Sequence, residues 1–137
     1  ILVFKRHTRA RYFVILLTAF CVVFLSLIVA PFFAYGLHLE DPALVSMGQF
    51  DPKGYPLFNG TTEIGCWLHL GALLLITTAP VAVIALGGRL VLEMRHHAHE
   101  WQGAFRAITI TTVLMSAALI AFYYSPLGRV ITAWHAD

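Results

Sequence analysis

Histidine is the residue type with the clearest potential for chemistry in this chain, and one histidine lies inside an apolar segment. His69 occurs within the run Cys66–Gly71. An ionisable residue at membrane depth is a functional candidate, and a neutral imidazole can ligate haem iron or the magnesium of a chlorophyll-type pigment. Gly71 would leave room beside the backbone for such a macrocycle. His69 is therefore the first candidate for a cofactor-binding residue.

A second histidine, His38, ends the first apolar segment on the same predicted side as His69. The two form a candidate bis-histidine site for haem b, and His69 alone could hold a (bacterio)chlorophyll-type pigment. Two other interpretations stay open. One is a neutral His69 hydrogen-bonded to a carbonyl or to a Tyr or Thr hydroxyl, and the sequence favours this one; the other is a contact with a quinone or lipid headgroup. Bound lipid is expected in every case.

The other histidines give weaker indications. A cluster in the segment between the second and third apolar runs consists of His96, His97 and His99, with Glu93 and Glu100 nearby. A His-rich tract can bind metal, but a solvated cluster that touches headgroups or a partner is the preferred interpretation, and no metal site is predicted. His135 lies near the end of the sequence and is expected to have no mechanistic role.

Familiar catalytic and binding motifs are absent. The sequence holds no Walker A loop, GxGxxG, HExxH, GxSxG or CxxC pattern. Cys21 and Cys66 fall at different predicted depths, so they are expected to be packing residues and not a disulfide pair. No Asp, Glu, Lys or Arg interrupts the apolar runs, which argues against a pump or coupled transporter acting alone. The chain is predicted not to be an enzyme.

Three apolar runs must position these residues, and they are Tyr12–Leu37, Ile64–Leu86 and Ala107–Tyr124. Each is near the roughly 20 residues that a helix needs to cross a bilayer. Apolar residue types make up 59% of the chain and charged types 12%, too few charges for the surface of a soluble domain. The sequence thus predicts one all-α integral membrane domain over residues 1–137, with three transmembrane helices spanning about 12–37, 64–88 and 106–125.

Basic residues set the predicted orientation. They concentrate before the first run and between the second and third: Lys5, Arg6, Arg9, Arg11, Arg89, Arg95 and Arg106. Lys and Arg mark the cytoplasmic side. The N-terminus and the linker 89–105 are therefore predicted inside, and the C-terminus and loop 38–63 outside. A cell membrane, most simply a bacterial inner membrane, is the predicted location.

The outer loop of about 25 residues and the third run carry packing signals. The loop contains turn residues together with Phe50, Tyr55 and Phe58, so it is expected to be an ordered lid on its own helices or a docking surface for a partner. The third run has small residues at helical spacing that suit helix packing: Thr112, Ser116, Ala117 and Ala121. Aromatic anchors at the membrane interfaces are predicted at Trp101, Tyr123, Tyr124 and Trp134.

Kinks are predicted at Pro31 in the first run and at Pro80 in the second, where Thr77 and Thr78 could accommodate the disturbed hydrogen bonding. The stretch before Pro31 is nearly featureless and could face lipid all round. The packing of three helices against one another would not use all of the packing signals in the first run, the third run and the loop.

The leading hypothesis is therefore a small, non-catalytic membrane subunit. It would stabilise a larger multi-subunit complex of the electron-transfer or bioenergetic kind.

Two alternatives remain at this level. The first is a redox or pigment subunit that uses His69, with or without His38. The second is the membrane anchor or sensor domain of a longer chain, since the sequence opens on Ile1 and not on Met. The expected partners are the lipid bilayer and other membrane subunits, and no nucleic acid.

Overall fold

The computed structural model describes residues 2–101 and 103–137, with side chains for 8–97, 99–101 and 103–137. That part of the chain is helical and contains no strand. Its helices are α1 (Leu2–Phe24), α2 (Ala30–Ala34), α3 (Pro42–Ser46), α4 (Glu63–His97), α5 (Gly103–Tyr124) and α6 (Pro126–Ala136). The side chains of Lys5 and Arg6, on which the predicted orientation partly rests, lie outside the described residues.

Three helical stretches in the described residues are long and apolar enough to cross a membrane: Thr8–Ala34, Glu63–His97 and Gly103–Tyr124. The prediction of an all-helical protein with three helices long and apolar enough to cross a membrane is confirmed for the described residues. The second stretch continues well past residue 88, because Gly87 and Gly88 do not interrupt α4. The hydroxyl of Thr62 accepts a hydrogen bond from the Gly65 amide (3.1 Å) and caps the start of this helix.

The first span is not featureless on all sides. Its buried side chains recur every three or four residues and form one stripe: Ala10, Val14, Leu17, Cys21, Phe24, Ile28 and Phe32. Ile15, Leu16 and Val22 on the other faces are about half exposed or more. The expectation that this stretch faces lipid all round is therefore wrong, because an entirely apolar sequence hides the periodicity that identifies a packed face.

The chain forms two compact units. The first contains Ile1–Val22 and Pro80–Ala121. In it, α5 buries Thr109, Thr112 and Ser116, and each hydroxyl donates to the carbonyl four residues earlier in the same helix. The three hydroxyls are thus satisfied within α5, and their small size leaves a smooth packing face.

The second unit contains Val23–Ala79 and Phe122–Asp137. The segment between α2 and α4 forms α3 and three single turns of 3₁₀-helix at Leu37–Leu39, Pro52–Gly54 and Pro56–Phe58. The carboxylates of Asp41 and Asp51 each accept a hydrogen bond from the backbone N–H two residues ahead, of Ala43 and Lys53, so these two aspartates cap turns. α6 packs against α3 and against the turn that precedes α2.

Candidate functional site

A widened helical turn at Leu25–Val29 connects α1 to α2 and is the starting point of the site. It has π-helical geometry, in which the Ala30 amide donates to the carbonyl of Leu25, five residues back. Pro31 follows immediately and has no N–H to offer the carbonyl of Leu27, so regular α-helix cannot continue through this point. Where the sequence predicted a kink at Pro31, the chain forms this π turn just before the proline, and π turns are often found at functional sites.

Helix α6 supplies the other half of the site. The Ser125 hydroxyl accepts a hydrogen bond from the Gly128 amide (3.1 Å) and caps the helix start, and Pro126 occupies its first turn. The helix is amphipathic and buries Gly128, Ile131, Trp134 and His135. Because the spacing of these residues is three, three and one, they form a single face.

His135 is completely buried (0% exposed) on that face. Its Nε2 lies 2.9 Å from the carbonyl oxygen of Ile28 in the π turn. Since a carbonyl only accepts, Nε2 carries the proton and donates it, which leaves Nδ1 as a bare acceptor. Nδ1 is buried and has no hydrogen-bond partner. The sequence-based expectation that His135 has no role rested on its place near the end of the sequence, and it did not foresee this burial.

The surroundings of His135 are aromatic. Its ring meets the Phe58 ring edge to face (centroids 5.1 Å apart, 87°) and lies 4.5 Å from the Trp134 ring. Burial lowers the pKa of His135 to about 4, against the opposing effect of the Ile28 hydrogen bond, and the nearby His69 lowers it further. The imidazole is therefore neutral at pH 7.

Trp134 is the centre of this aromatic cluster and is also fully buried. Its ring contacts those of Phe32, Tyr55 and Phe58 at centroid distances of 5.8–6.1 Å. Its indole N–H donates to the carbonyl of Phe50, in the loop between α2 and α4 (2.5 Å). Trp134, predicted as an interfacial anchor, thus has protein on all sides and holds the loop against α6.

Tyr35 and Tyr55 extend the cluster into the loop. Their rings stack with centroids 4.6 Å apart, and the Tyr35 hydroxyl accepts a hydrogen bond from the Leu57 amide (3.2 Å). The aromatic residues of the loop are therefore packed within their own unit.

His69 reaches the same cluster from α4. Its ring lies 6.2 Å from the Phe58 ring, its side chain is half-buried, and its Nδ1 is buried with no hydrogen-bond partner. The charged side chains of Lys53 and Asp51 interact electrostatically with the His69 imidazole. A Cβ placed on Gly71 would meet nothing within 4 Å, so that side of α4 is open.

The structure brings His69 together with Phe58 and His135, a neighbour that the sequence did not suggest. His38, its predicted partner, is exposed and contacts the ring of Phe33 (5.1 Å). Among the described residues, no group of three or more His, Cys, Asp or Glu side chains is placed to hold a metal ion.

The second histidine cluster lies at the other end of α4. The Glu100 carboxylate sits between two imidazoles, 3.7 Å from His97 Nδ1 and 3.5 Å from His99 Nε2. His96 is exposed and its ring is 6.3 Å from that of His97. These contacts become ion pairs only when the histidines are protonated, and ion pairs that are this exposed contribute little to stability.

Both cysteines are free, as predicted. Cys21 is buried beside Ser116, and the Cys66 thiol donates to the carbonyl of Gly60 (3.2 Å).

Two of the remaining predicted interfacial anchors, Tyr124 and Trp101, differ in exposure. Tyr124 is 54% exposed, whereas Trp101 is only 8% exposed and packs on the Phe105 ring at 5.0 Å.

Tyr123 has a structural partner that the sequence did not reveal. Pro80 has no N–H, so the carbonyl of Ile76, four residues earlier, loses its helical donor. The Tyr123 hydroxyl donates to that carbonyl at 2.9 Å. Thr77 and Thr78 were expected to accommodate the hydrogen bonding that Pro80 disturbs. Their hydroxyls instead donate to the carbonyls of Leu73 and Leu74. Tyrosine thus replaces the donor that proline removes.

Replacing Tyr123 with phenylalanine should therefore leave the Ile76 carbonyl without a partner and lower the free energy of unfolding by about 1–2 kcal/mol. The matched control is Tyr124→Phe, which removes a hydroxyl from a side chain that is 54% exposed. Equilibrium unfolding in mild detergent would measure both. Equal stabilities of the two variants would contradict a special role for the Tyr123 hydroxyl.

The predicted packing residues divide between two faces of α5. Thr112 and Ser116 are buried, whereas Ala117 and Ala121 are exposed. A groove of about 290 Å³ runs beside Ala117 within the first unit. Small residues form its floor, where a Cβ on Gly87 would lie 4.0 Å from that of Ser116, and Val83, Val113 and Ile120 are among its walls.

No protein-family model, curated protein or solved structure matches this chain. Two features of the structure are candidates for function: the small-residue groove along α4 and α5, and the cluster of aromatic and histidine side chains packed against α6. A sequence signal for the second did exist. Ser125-Pro126 followed by apolar residues at helical spacing is a helix-start signature, and reading it would have placed His135 on a buried face.

Proposed function

We propose that this chain is a non-catalytic subunit that packs, through the exposed small-residue face of α5, against a transmembrane helix of a partner subunit in a larger membrane complex. The single observation that carries the proposal is the groove beside Ala117. Its lining is apolar apart from one hydroxyl, and that hydroxyl, of Ser116, already donates to the Thr112 carbonyl (2.7 Å). The groove therefore suits an apolar occupant.

The physics of lipid favours a helix as this occupant. Apolar surface alone gives no drive for association within a bilayer, because lipid tails are as apolar as leucine. Helices associate where small residues let their backbones approach closely. Gly88 and Ala117 are exposed, and a Cβ on Gly88 would meet nothing within 4 Å, so a ridge of side chains from another helix could enter here.

The test fills the groove with one side chain. Ala117→Leu should overpack it at a cost of about 1–3 kcal/mol, which weakens association by roughly tenfold to a hundredfold. Ala118→Leu is the matched control, because Ala118 is also exposed but does not line the groove. Both variants remain acceptable to lipid, since each only adds apolar volume.

The measurement is the amount of each partner protein that co-purifies with the full-length chain in mild detergent. We expect stoichiometric partners with the parent protein and with Ala118→Leu, and their loss with Ala117→Leu. The proposal is overturned if both variants retain partners equally, or if the parent chain purifies with lipid alone in the groove.

A further inference from the structure

The attachment of α6 to the rest of its unit depends on few polar contacts. In the described residues these are the bond from His135 to the Ile28 carbonyl, the bond from the Trp134 indole to the Phe50 carbonyl, and one from Lys53 Nζ to the Asp137 backbone oxygen (3.2 Å). The last is exposed and is expected to contribute little. The first involves a group that can gain a proton under mild acid.

Protonation of His135 is incompatible with its present position. The incoming proton must go to Nδ1, because Nε2 already carries the proton that is donated to Ile28. Nδ1 is buried without an acceptor, and the ring lies between Phe58 and Trp134. An imidazolium in that setting would be an unpaired buried charge, which is strongly unfavourable.

Among the described residues no carboxylate acts on His135, and the charge of Glu40 acts on Tyr55 instead. His69, from α4, is the ionisable side chain that acts on His135, and its own protonation adds a second positive charge. Lys53 and Asp51, from the loop, act on His69 with opposite signs. Within α6 itself, Arg129 is exposed and Asp137 lies beyond the helix end near Gly48.

We propose that α6 is an acid-released latch: it docks on the π turn while His135 is neutral and detaches when His135 accepts a proton at Nδ1. Detachment would free the Ile28 carbonyl and uncover the ring surfaces of Phe32 and Phe58. If the Lys/Arg distribution sets the topology as predicted, this end of the protein meets the extracytoplasmic pH.

The direction of the pH dependence follows from linkage. The pKa of His135 is about 4 when α6 is docked and about 6.5 when it is free. Because the docked pKa is lowered, the docked state has its full stability above pH 6.5 and loses it as pH falls toward 4. The docking equilibrium should shift on the order of a hundredfold across this range.

The experiment measures hydrogen exchange of the α6 amides in the full chain, held in nanodiscs, from pH 7 to pH 4 after correction for intrinsic exchange rates. His135→Gln is the decisive variant. Its amide nitrogen can take the place of Nε2 and donate to Ile28, but the side chain does not titrate. His38→Gln is the control, since it removes an exposed histidine from the same unit.

We expect the parent protein and His38→Gln to lose protection of α6 between pH 6.5 and pH 4, and His135→Gln to keep it. Loss of protection at the same pH in His135→Gln would overturn the proposal, as would full protection of the parent protein at pH 4. If His135→Gln fails to dock α6 even at pH 7, the proposal is tested on the parent protein alone. Nitrogen-15 chemical shifts of its His135 should then show protonation at the pH where α6 is released. Protonation of His135 while α6 is still protected from exchange would refute the latch.

Discussion

Replacement of Gly128 by alanine should detach α6 and lower the free energy of unfolding by about 3–5 kcal/mol, the range expected when a large buried aromatic side chain is lost from its site. Gly128 is buried in the first turn of α6. A Cβ at this position would collide with the backbone carbonyl oxygen of Phe122. Backbone cannot move aside as a flexible side chain can, so the helix start must shift.

The shift would propagate because Gly128 is also the donor to the capping hydroxyl of Ser125. Displacement of this turn would withdraw Ile131 and Trp134 from their buried positions. Thermal unfolding in mild detergent, together with proteolysis of α6 at pH 7, would detect the change. Gly103→Ala is the control, since a Cβ there meets nothing within 4 Å, and it should alter stability by less than about 0.5 kcal/mol. A Gly128→Ala protein with intact α6 would show that the close approach is not required.

Replacement of Phe58 by alanine is expected to cost about 3–5 kcal/mol, the range measured for aromatic truncation in protein cores. Phe58 is completely buried and its ring contacts His69, Trp134 and His135. Phe58 therefore joins α4 to α6 through the segment between α2 and α4. Its removal would leave a cavity bordered by two imidazoles whose Nδ1 atoms already lack partners.

The matched control for Phe58→Ala is Leu39→Ala, because Leu39 belongs to the same unit and is 81% exposed. Chemical unfolding of both variants in one detergent would give the difference directly. Leu39→Ala should remain within about 0.5 kcal/mol of the parent protein. A loss below about 1 kcal/mol for Phe58→Ala would mean that the cluster collapses to fill the space, and that it is not a rigid core.

The number of candidate spans, the irregularity at Pro31 and the cap at Thr62 were all accessible from the sequence. Each depends on local chemistry: a run of apolar residues, a missing N–H, a hydroxyl just before a helix. The start of α6 was accessible in the same way, from Ser125 and Pro126 followed by apolar residues at helical spacing. Local rules therefore explain where the helices lie.

The candidate site was less predictable because its key contacts join residues that are far apart in sequence. Nothing near His135 indicates that its partner is the carbonyl of Ile28, and nothing near Tyr123 indicates Ile76. In both cases a proline disturbs one helix, and a side chain from the last third of the chain supplies a hydrogen bond within the disturbed turn or next to it. Depth along a helix does not specify which faces meet, so the sequence alone could not show that His69 lies beside Phe58.

The bond between His135 and Ile28 also bears on how the protein is made, since 107 residues separate its two ends. The first span is synthesised early, yet the donor for its π turn emerges only after the third candidate span. Until then the turn, Phe24 and Phe32 are available to lipid, to an insertase or to a chaperone. Closing such long-range contacts is slow and entropically costly. The unit of Val23–Ala79 and Phe122–Asp137 should therefore mature last, and assembly factors would have a defined interval in which to recognise it.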